Sequence, residues 1–464
     1  GETFDYLVPK ADLSLALGRL TMQSADRHTL QTRAVAEDPQ LLVAMMWGDA
    51  GDLAIWTRLT LRGTFADFWR GPKEFRRWIY RKGIHLQDKS RVAVEAGVLR
   101  KLPHVPIAAL RVGSPVLHPD LLTQWPAQHT TVVGLGPEVL RVFSEPRVLF
   151  PDGFSKDEQN VRAVYYDGPA SFTHSIGVIA GAKQDAPLLQ FVAVYLRSTL
   201  ARYFLMLRGW KMLCERNGVH LSDVETFPFF APEDAPDPEA AQAALRTVQI
   251  HMAELASLAD LEQLPRYDAL RDELDDAIFA YFGLTAEEQL LVRETVDILM
   301  PSVRPRSFKS LDTPAQHRVQ AEDFEVYAHA LAGALTAWRT KTCGQGRFRV
   351  DVVASDPGRA GPSGIVRVSY VQRPTGKPEV STKINDELVL ATLAELQLVG
   401  LRTIPSGDFL NLIPDVHLWI DESLYLVRPL ARRNWTRRQA NRDAEHIVRS
   451  VQGQQYGQKR AEMA

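Results

Sequence analysis

The sequence predicts an α+β protein, and three observations lead to that class. Apolar residues recur at helical spacing in segments such as residues 187–207, and they form short strand-like runs in others, such as residues 347–353. Both types of segment occur together within the last 140 residues. Proline-containing linkers at residues 228–238 and 301–314 separate stretches of different character, and no repeat of fixed period is present.

The first predicted region, residues 1–70, is mostly helical. Apolar residues at helical spacing indicate helices over residues 41–46 and 53–59, and a short third helix over residues 64–69 ends at Gly71. We interpret this region as a helical bridge.

The second predicted region, residues 71–232, is rich in strands. Turn residues separate four candidate strands, at residues 131–133, 148–150, 163–166 and 177–179. One long helix, residues 187–207, interrupts them with a broad apolar stripe.

Two further regions complete the predicted organisation. Residues 233–305 form an acidic helical segment, with helices over 239–261, 267–282 and 286–300. Residues 315–464 form a C-terminal α+β domain. Its predicted helices are 324–338, 384–398 and the basic 435–451, and its predicted strands are 347–353, 365–371, 409–413, 417–420 and 424–427.

Composition excludes several classes of protein. The chain has 464 residues and a formal net charge of −2, with no apolar run long enough for a membrane span and no secretory signal. Its two cysteines, Cys214 and Cys343, do not make a disulfide framework or a zinc site. We therefore expect a cytoplasmic protein, and the start at Gly1 is compatible with processing or truncation.

Charge is distributed unevenly along this near-neutral chain. Residues 67–101 carry a net charge of +6, residues 233–297 carry −12, and residues 428–460 carry +7. Such a field can steer a polyanion toward one face, although each run taken alone is also typical of a solvated surface.

Motifs for catalysis are absent from the sequence. There is no P-loop, no His-Glu-x-x-His and no Gly-x-Ser-x-Gly. Asp351 lies on a predicted strand, but the next strand, residues 365–370, lacks the acid and lysine of a nuclease core. The sequence therefore predicts no catalytic residue and no metal site.

Residues 143–228 contain an ordered set of motifs. Pro146-Arg147 opens an apolar strand, a paired strand follows at residues 161–166, and the helix at residues 188–204 contains a Leu-x-Ser step. The set ends in Asp223-Val-Glu-Thr-Phe-Pro228. This order resembles the target-recognition domain of N6-adenine DNA methyltransferases of type IIG or BREX-like restriction and phage-defence systems. With residues 78–84 and 274–288, the resemblance spans about residues 70–300.

The chain departs from that family in its catalytic part. The Asn-Pro-Pro-aromatic loop that holds the flipped adenine is missing, as is the glycine-rich S-adenosylmethionine strand. The resemblance thus implies no cofactor in this chain, and S-adenosylmethionine only in an associated or missing catalytic domain. It implies double-stranded DNA, a methyltransferase catalytic domain or other defence subunits as partners.

Recognition of DNA needs phosphate contacts and base contacts. The basic cluster of residues 76–91 suits phosphates, and polar residues near loops and helix ends suit base edges. The candidates are Arg76, Arg77, Arg81, Lys82, Lys89, Arg91, Arg147, Lys183, Gln184, Arg208, Lys211, Arg216, Asn217, Arg438 and Arg442.

Alternatives remain open from the sequence. The basic C-terminal helix is either a second DNA contact or a dock for the acidic helices. A rival function is a protein–protein scaffold in a multi-subunit defence complex, and a third option is a divergent nuclease in residues 320–464.

Overall fold

The computed structural model contains two compact units. It describes residues 1–462 except 11–14, 16–17, 73–75, 87–91, 111–112, 152–160, 210–220, 304–312, 343–344, 357–362, 373–378, 397–403, 406–409 and 414–415. Unit 1 comprises residues 1–37 and 294–464, and unit 2 comprises residues 38–293.

Helices and strands are both abundant, which confirms the α+β class. The strands are β1 (Thr3–Leu7), β2 (Leu20–Gln23), β3 (Arg27–Gln31), β4 (Trp78–Lys82), β5 (Ala93–Glu95), β6 (Thr131–Val133), β7 (Arg147–Pro151), β8 (Val164–Tyr166), β9 (Ile176–Gly181), β10 (Arg347–Ala354), β11 (Ser363–Val371), β12 (Glu379–Ile384), β13 (Ile404–Pro405), β14 (Leu410–Ile413), β15 (Val416–Ile420) and β16 (Ser423–Pro429). The helices are α1 (Thr32–Glu37), α2 (Gln40–Ala44), α3 (Ala50–Thr60), α4 (Pro137–Arg141), α5 (Ala186–Arg197), α6 (Thr199–Arg208), α7 (Leu221–Glu225), α8 (Pro238–Ser257), α9 (Asp260–Tyr281), α10 (Ala286–Glu294), α11 (Ala321–Lys341), α12 (Asp386–Glu395) and α13 (Arg437–Glu462). Among these described helices, none combines the length and apolarity that a bilayer crossing requires.

Unit 2 is built around an antiparallel sheet of order β4-β9-β7-β8. Every residue of β7 and β9 is buried, because α5 packs against both strands and a cluster of apolar side chains covers the sheet. The outer strand β4 is only partly buried and forms one edge of this sheet.

The segment predicted as the linker 228–238 begins in the core of unit 2. Phe229 is fully buried, and its ring stacks on Phe65 at 4.3 Å. The Tyr195 hydroxyl donates to the carbonyl of Pro228 at 3.0 Å. The prolines predicted a surface linker. Phe229 and Phe230, which lie between them, are instead buried in the core, where burial of their apolar surface is favourable. The predicted boundary at residues 232–233 therefore lies inside unit 2.

The long helix predicted over residues 187–207 is two helices, α5 and α6, which meet at Ser198. The backbone at Ser198 is extended, and its hydroxyl caps α6. Asp275 of α9 accepts from the Thr199 amide at 2.9 Å, so a buried carboxylate also holds this helix start.

Burial raises the pKa of Asp275, and this has a consequence for stability. A carboxyl whose folded pKa is raised contributes stability below its unfolded pKa, and this contribution is lost as the pH rises through the folded value. Relative to an Asp275→Asn variant, the wild type should therefore lose stability as the pH is raised from about 4 toward neutrality. Denaturant unfolding at several pH values tests this. Parallel curves for wild type and Asp275→Asn would contradict the expectation.

Unit 1 contains a five-stranded sheet of order β12-β10-β11-β16-β15. Strand β10 pairs with β11 antiparallel and with β12 parallel. Buried residues of α11 and α13 form one apolar core with β10, β11 and β16, while α12 contributes to a smaller cluster that includes Ile365.

A buried polar network fixes α13 in unit 1. Asp443 accepts hydrogen bonds from the Tyr327 hydroxyl and from the Arg428 guanidinium, and from the Gln439 amide at 3.0 Å. Arg428 and Asp443 are both more than nine-tenths buried. The ion pair thus lies where water does not compensate either charge.

The first residues of the chain differ from the predicted helical bridge of residues 1–70. They form strands up to Gln31 and belong to unit 1, together with the C-terminal region. Strand β2 pairs in parallel with β14, and buried Asp26 forms an ion pair with Arg433 at 2.9 Å. The helices predicted over residues 41–59 are present, but they belong to unit 2.

Candidate nucleic-acid interface

Basic side chains follow the edge strand β4 in unit 2. Arg76 and Arg77 precede the strand, and Arg81 and Lys82 end it, opposite Val178 and Gly177 of β9. A strand rises about 3.3 Å per residue, so these positive charges are spread over roughly 20 Å. Of the predicted basic cluster of residues 76–91, residues 76–82 therefore lie on β4 or directly before it.

Arg77 is anchored within unit 2. Its guanidinium lies 2.8 Å from the Asp185 carboxylate, which also accepts from the buried Trp78 indole at 3.2 Å. Asp185 precedes α5, so this pair ties the start of β4 to the start of a core helix. Arg77 has a structural partner, and its charge is partly neutralised.

Arg76 and Lys183 are the more available cations near this end of β4. Both residues are exposed, as is Gln184. Lys183 lies close to the start of the strand because Trp78 pairs with Gly181. The Arg76 Nε donates to the carbonyl of Gly71 at 2.8 Å, and neither cation is in an ion pair with another described residue.

Arg147, which the sequence predicts as a contact to a DNA base edge, does not lie at the surface. It is fully buried, and its guanidinium donates to the carbonyls of Glu145 and Gly168. The ring of Tyr166 lies 5.4 Å from the guanidinium carbon. A side chain enclosed by protein in this way has no surface to offer to a base edge.

Arg208 is half-buried at the end of α6, where it supports packing. It forms an ion pair with Asp38 at 3.0 Å, and its guanidinium lies 4.9 Å from the Trp56 ring centre. Five more candidates lie outside the described residues: Lys89, Arg91, Lys211, Arg216 and Asn217.

The basic helix of unit 1 uses its first turns internally. Arg438 is buried and donates to the Thr295 hydroxyl, while its amide donates to the Glu294 carboxylate at 2.9 Å. Arg442 is half-buried and donates to the carbonyl of Ala25 at 3.4 Å. The prediction of Arg438 as a DNA contact is corrected, because its charge is enclosed in unit 1.

The nuclease and metal-site hypotheses can also be compared with the structure. Asp351 of β10 accepts from Arg349 on its own strand at 2.9 Å. Within the described part of the chain, no three His, Cys, Asp or Glu side chains form a group that could hold a metal ion.

Sequence reasoning missed Arg100 and Lys101 as candidate contacts. Both are exposed at the end of a single helical turn that follows β5, and neither has an ion-pair partner among the described residues. The net charge of residues 67–101 was the available signal, but it did not separate exposed charges from anchored ones.

The likeness of this chain to solved structures is weak. No family model matches the chain, and no curated protein matches it. A solved structure of the Type IIL restriction-modification enzyme MmeI in complex with DNA matches at 15% identity with a TM-score of 0.22. The match covers 33% of this chain and 20% of that enzyme, so the chain spans about a fifth of its length. A likeness this remote assigns neither fold nor activity.

Proposed function

We propose that this chain is a DNA-binding protein, the specificity part of an adenine-N6 DNA methyltransferase in a restriction-modification or phage-defence system. S-adenosylmethionine would be used by a catalytic domain that this sequence does not contain. The motifs at residues 143–228 support the methyltransferase part, and the basic edge of unit 2 supports DNA binding.

The observation that carries DNA binding is the exposure of Arg76 and Lys183 beside the basic edge strand β4. Exposed cations reach phosphates without rearrangement of the protein, and they release condensed counterions from the duplex. The ion pair between exposed Arg77 and buried Asp185 holds the start of this strand in place. The element that would contact the backbone is therefore fixed before DNA arrives, which lowers the entropy lost on binding.

Binding of duplex DNA should weaken steeply with salt, and two substitutions should flatten that dependence. For Arg76→Ala with Lys183→Ala, we expect the slope of log K against log salt to fall by about 2, since each phosphate contact contributes about one unit. Fluorescence anisotropy over a salt series measures the slope.

Arg246 supplies the matched control, because it is an exposed arginine of α8 in the same unit but away from β4. Arg246→Ala should leave the slope unchanged. If the double variant binds as the wild type does at every salt concentration, the surface formed by Arg76 and Lys183 beside β4 is not the DNA contact.

The methyltransferase part of the proposal has its own test. Selection of bound duplexes from a random pool should enrich one sequence, because a specificity module discriminates each base pair of its site by about 1–3 kcal/mol. Salt-dependent binding without enrichment would leave a non-specific DNA-binding protein and would remove the methyltransferase assignment.

A further inference from the structure

Two histidine rings are stacked beside the end of β4 in unit 2. The ring centres of His85 and His174 lie 4.8 Å apart, and the two ring planes are 12° from parallel. His174 is exposed and His85 is half-buried. The ring of His174 makes no hydrogen bond to another described residue, so its nitrogens are available to a ligand. Neither histidine belongs to the DNA contacts proposed above.

Backbone hydrogen bonds hold the two histidines side by side. The Ile84 amide donates to the carbonyl of Phe172 at 3.2 Å, and the His174 amide donates to the carbonyl of Ile84 at 2.9 Å. Gly83 lets the two segments approach this closely, because a Cβ there would lie 2.5 Å from the carbonyl oxygen of Thr173. The backbone therefore fixes the two rings next to each other.

The histidine pair extends the basic edge of unit 2. His85 follows Lys82, the last residue of β4, by three positions. His174 precedes Gly177, the partner of Lys82 in β9, by three positions. A chain of three residues spans no more than about 11 Å, so the pair lies close to Lys82. From Arg76 to His85 the edge is up to roughly 30 Å long, which is close to one turn of duplex DNA.

The charges around the pair are mostly positive. In the part of the chain that the structure describes, β4 contributes Arg81 and Lys82, whereas residues 172–175 and β6 contribute no other charged side chain. Strand β5 contributes Glu95, which pairs with the opposite end of β6 from His85. The two cations of β4 therefore oppose a positive charge on the imidazoles until an anion arrives.

The chemistry of imidazole suits such a position to a proton-dependent contact. Histidine gains or loses its charge between pH 5 and 8, whereas arginine and lysine stay charged over that range. One imidazolium can stack on a neutral ring, but two imidazolium rings at this distance repel each other. A phosphate oxygen beside an exposed ring nitrogen favours the protonated form, because the imidazolium then donates a charge-assisted hydrogen bond. The pair is thus suited to take up one proton as a phosphate binds.

We propose that His174, held in place by its stack on His85, contacts a DNA phosphate as an imidazolium, so that DNA binding takes up one proton. This inference rests on the proposed function, because the phosphate belongs to the duplex bound along β4. It adds a dependence on pH that contacts from Arg76 and Lys183 do not have.

Duplex binding over a salt series at pH 6 and at pH 8 tests the contact. For the wild-type chain, we expect the slope of log K against log salt to be steeper by about 1 at pH 6, since one more phosphate is neutralised there. His174→Gln should remove that difference and give the wild-type slope of pH 8 at both pH values. His174→Lys, which keeps its charge at both pH values, should give the steeper slope at both.

Two further variants assign the effect to His174. His85→Phe keeps a stacking ring without a titratable group and should preserve the pH difference, whereas its loss in this variant would overturn the assignment. His329→Gln, at an exposed histidine of α11 in unit 1, should also preserve it.

The outcomes separate this inference from the proposed function. Equal wild-type slopes at the two pH values, or an undiminished difference in His174→Gln, would overturn the proton-dependent contact and leave the proposed DNA binding standing. Absence of duplex binding at both pH values would overturn the proposed function and this contact together.

Discussion

Replacing Arg147 with alanine should lower the free energy of unfolding of unit 2 by about 3 kcal/mol, because two carbonyls lose their donor and the enclosed side chain leaves a void. If Arg147 were instead a surface residue that contacts a DNA base, its truncation would change the free energy of unfolding by no more than about 0.5 kcal/mol. The two roles of this arginine are therefore separated by a stability measurement alone.

Hydrogen exchange of the amides in β7 and β9 gives that free energy for unit 2 itself. Arg141→Ala is the matched control, since Arg141 is exposed and pairs with Glu145 along one helical turn. Surface pairs of this kind contribute about 0.3–0.5 kcal/mol. If the amides of β7 and β9 exchange at the same rate in the Arg147→Ala and Arg141→Ala variants, the buried arginine does not stabilise unit 2.

Asp443→Ala should destabilise unit 1 by about 3–5 kcal/mol, the cost of leaving one member of a buried ion pair without its partner. Arg428 would remain enclosed without the Asp443 carboxylate, and Tyr327 and Gln439 would each lose an acceptor. Exchange of the amides in β16 and α11 would measure the loss.

Two further variants make this expectation specific to the charge. Glu445→Ala removes an exposed acid two residues away and should have little effect. Combining Asp443→Leu with Arg428→Met removes both charges and should recover most of the stability, because apolar replacements of buried ion pairs are often neutral. A double variant as unstable as Asp443→Ala would mean that packing, and not the ion pair, dominates at this position.

Local patterns predicted many elements of the fold but not its organisation. The strand predicted at residues 131–133 has those bounds in the structure, and those predicted near residues 148–150 and 177–179 are each short by two or three residues. Strands β1, β2 and β3 were missed because they are only four or five residues long, although β2 alternates apolar and polar residues. The partner of β2 lies in β14, far along the chain, so no local window contains the signal.

In the candidate site, too, the sequence predicted which residues are charged but not which of them are buried. The clustering of cations at residues 76–82 was visible, and the structure collects them at one sheet edge. The burial of Arg147 was not visible, because its acceptor at Gly168 lies 21 positions away.

The pairing of Asp26 with Arg433 within unit 1 has a consequence during synthesis. Asp26 meets its partner, 407 positions later, only after the residues between them have been translated. At about 5–20 residues per second, that interval is roughly 20–80 s, long enough for unit 2 to fold as its residues leave the ribosome. Throughout that time the edge of β2 that later pairs with β14 is open to pairing with another chain.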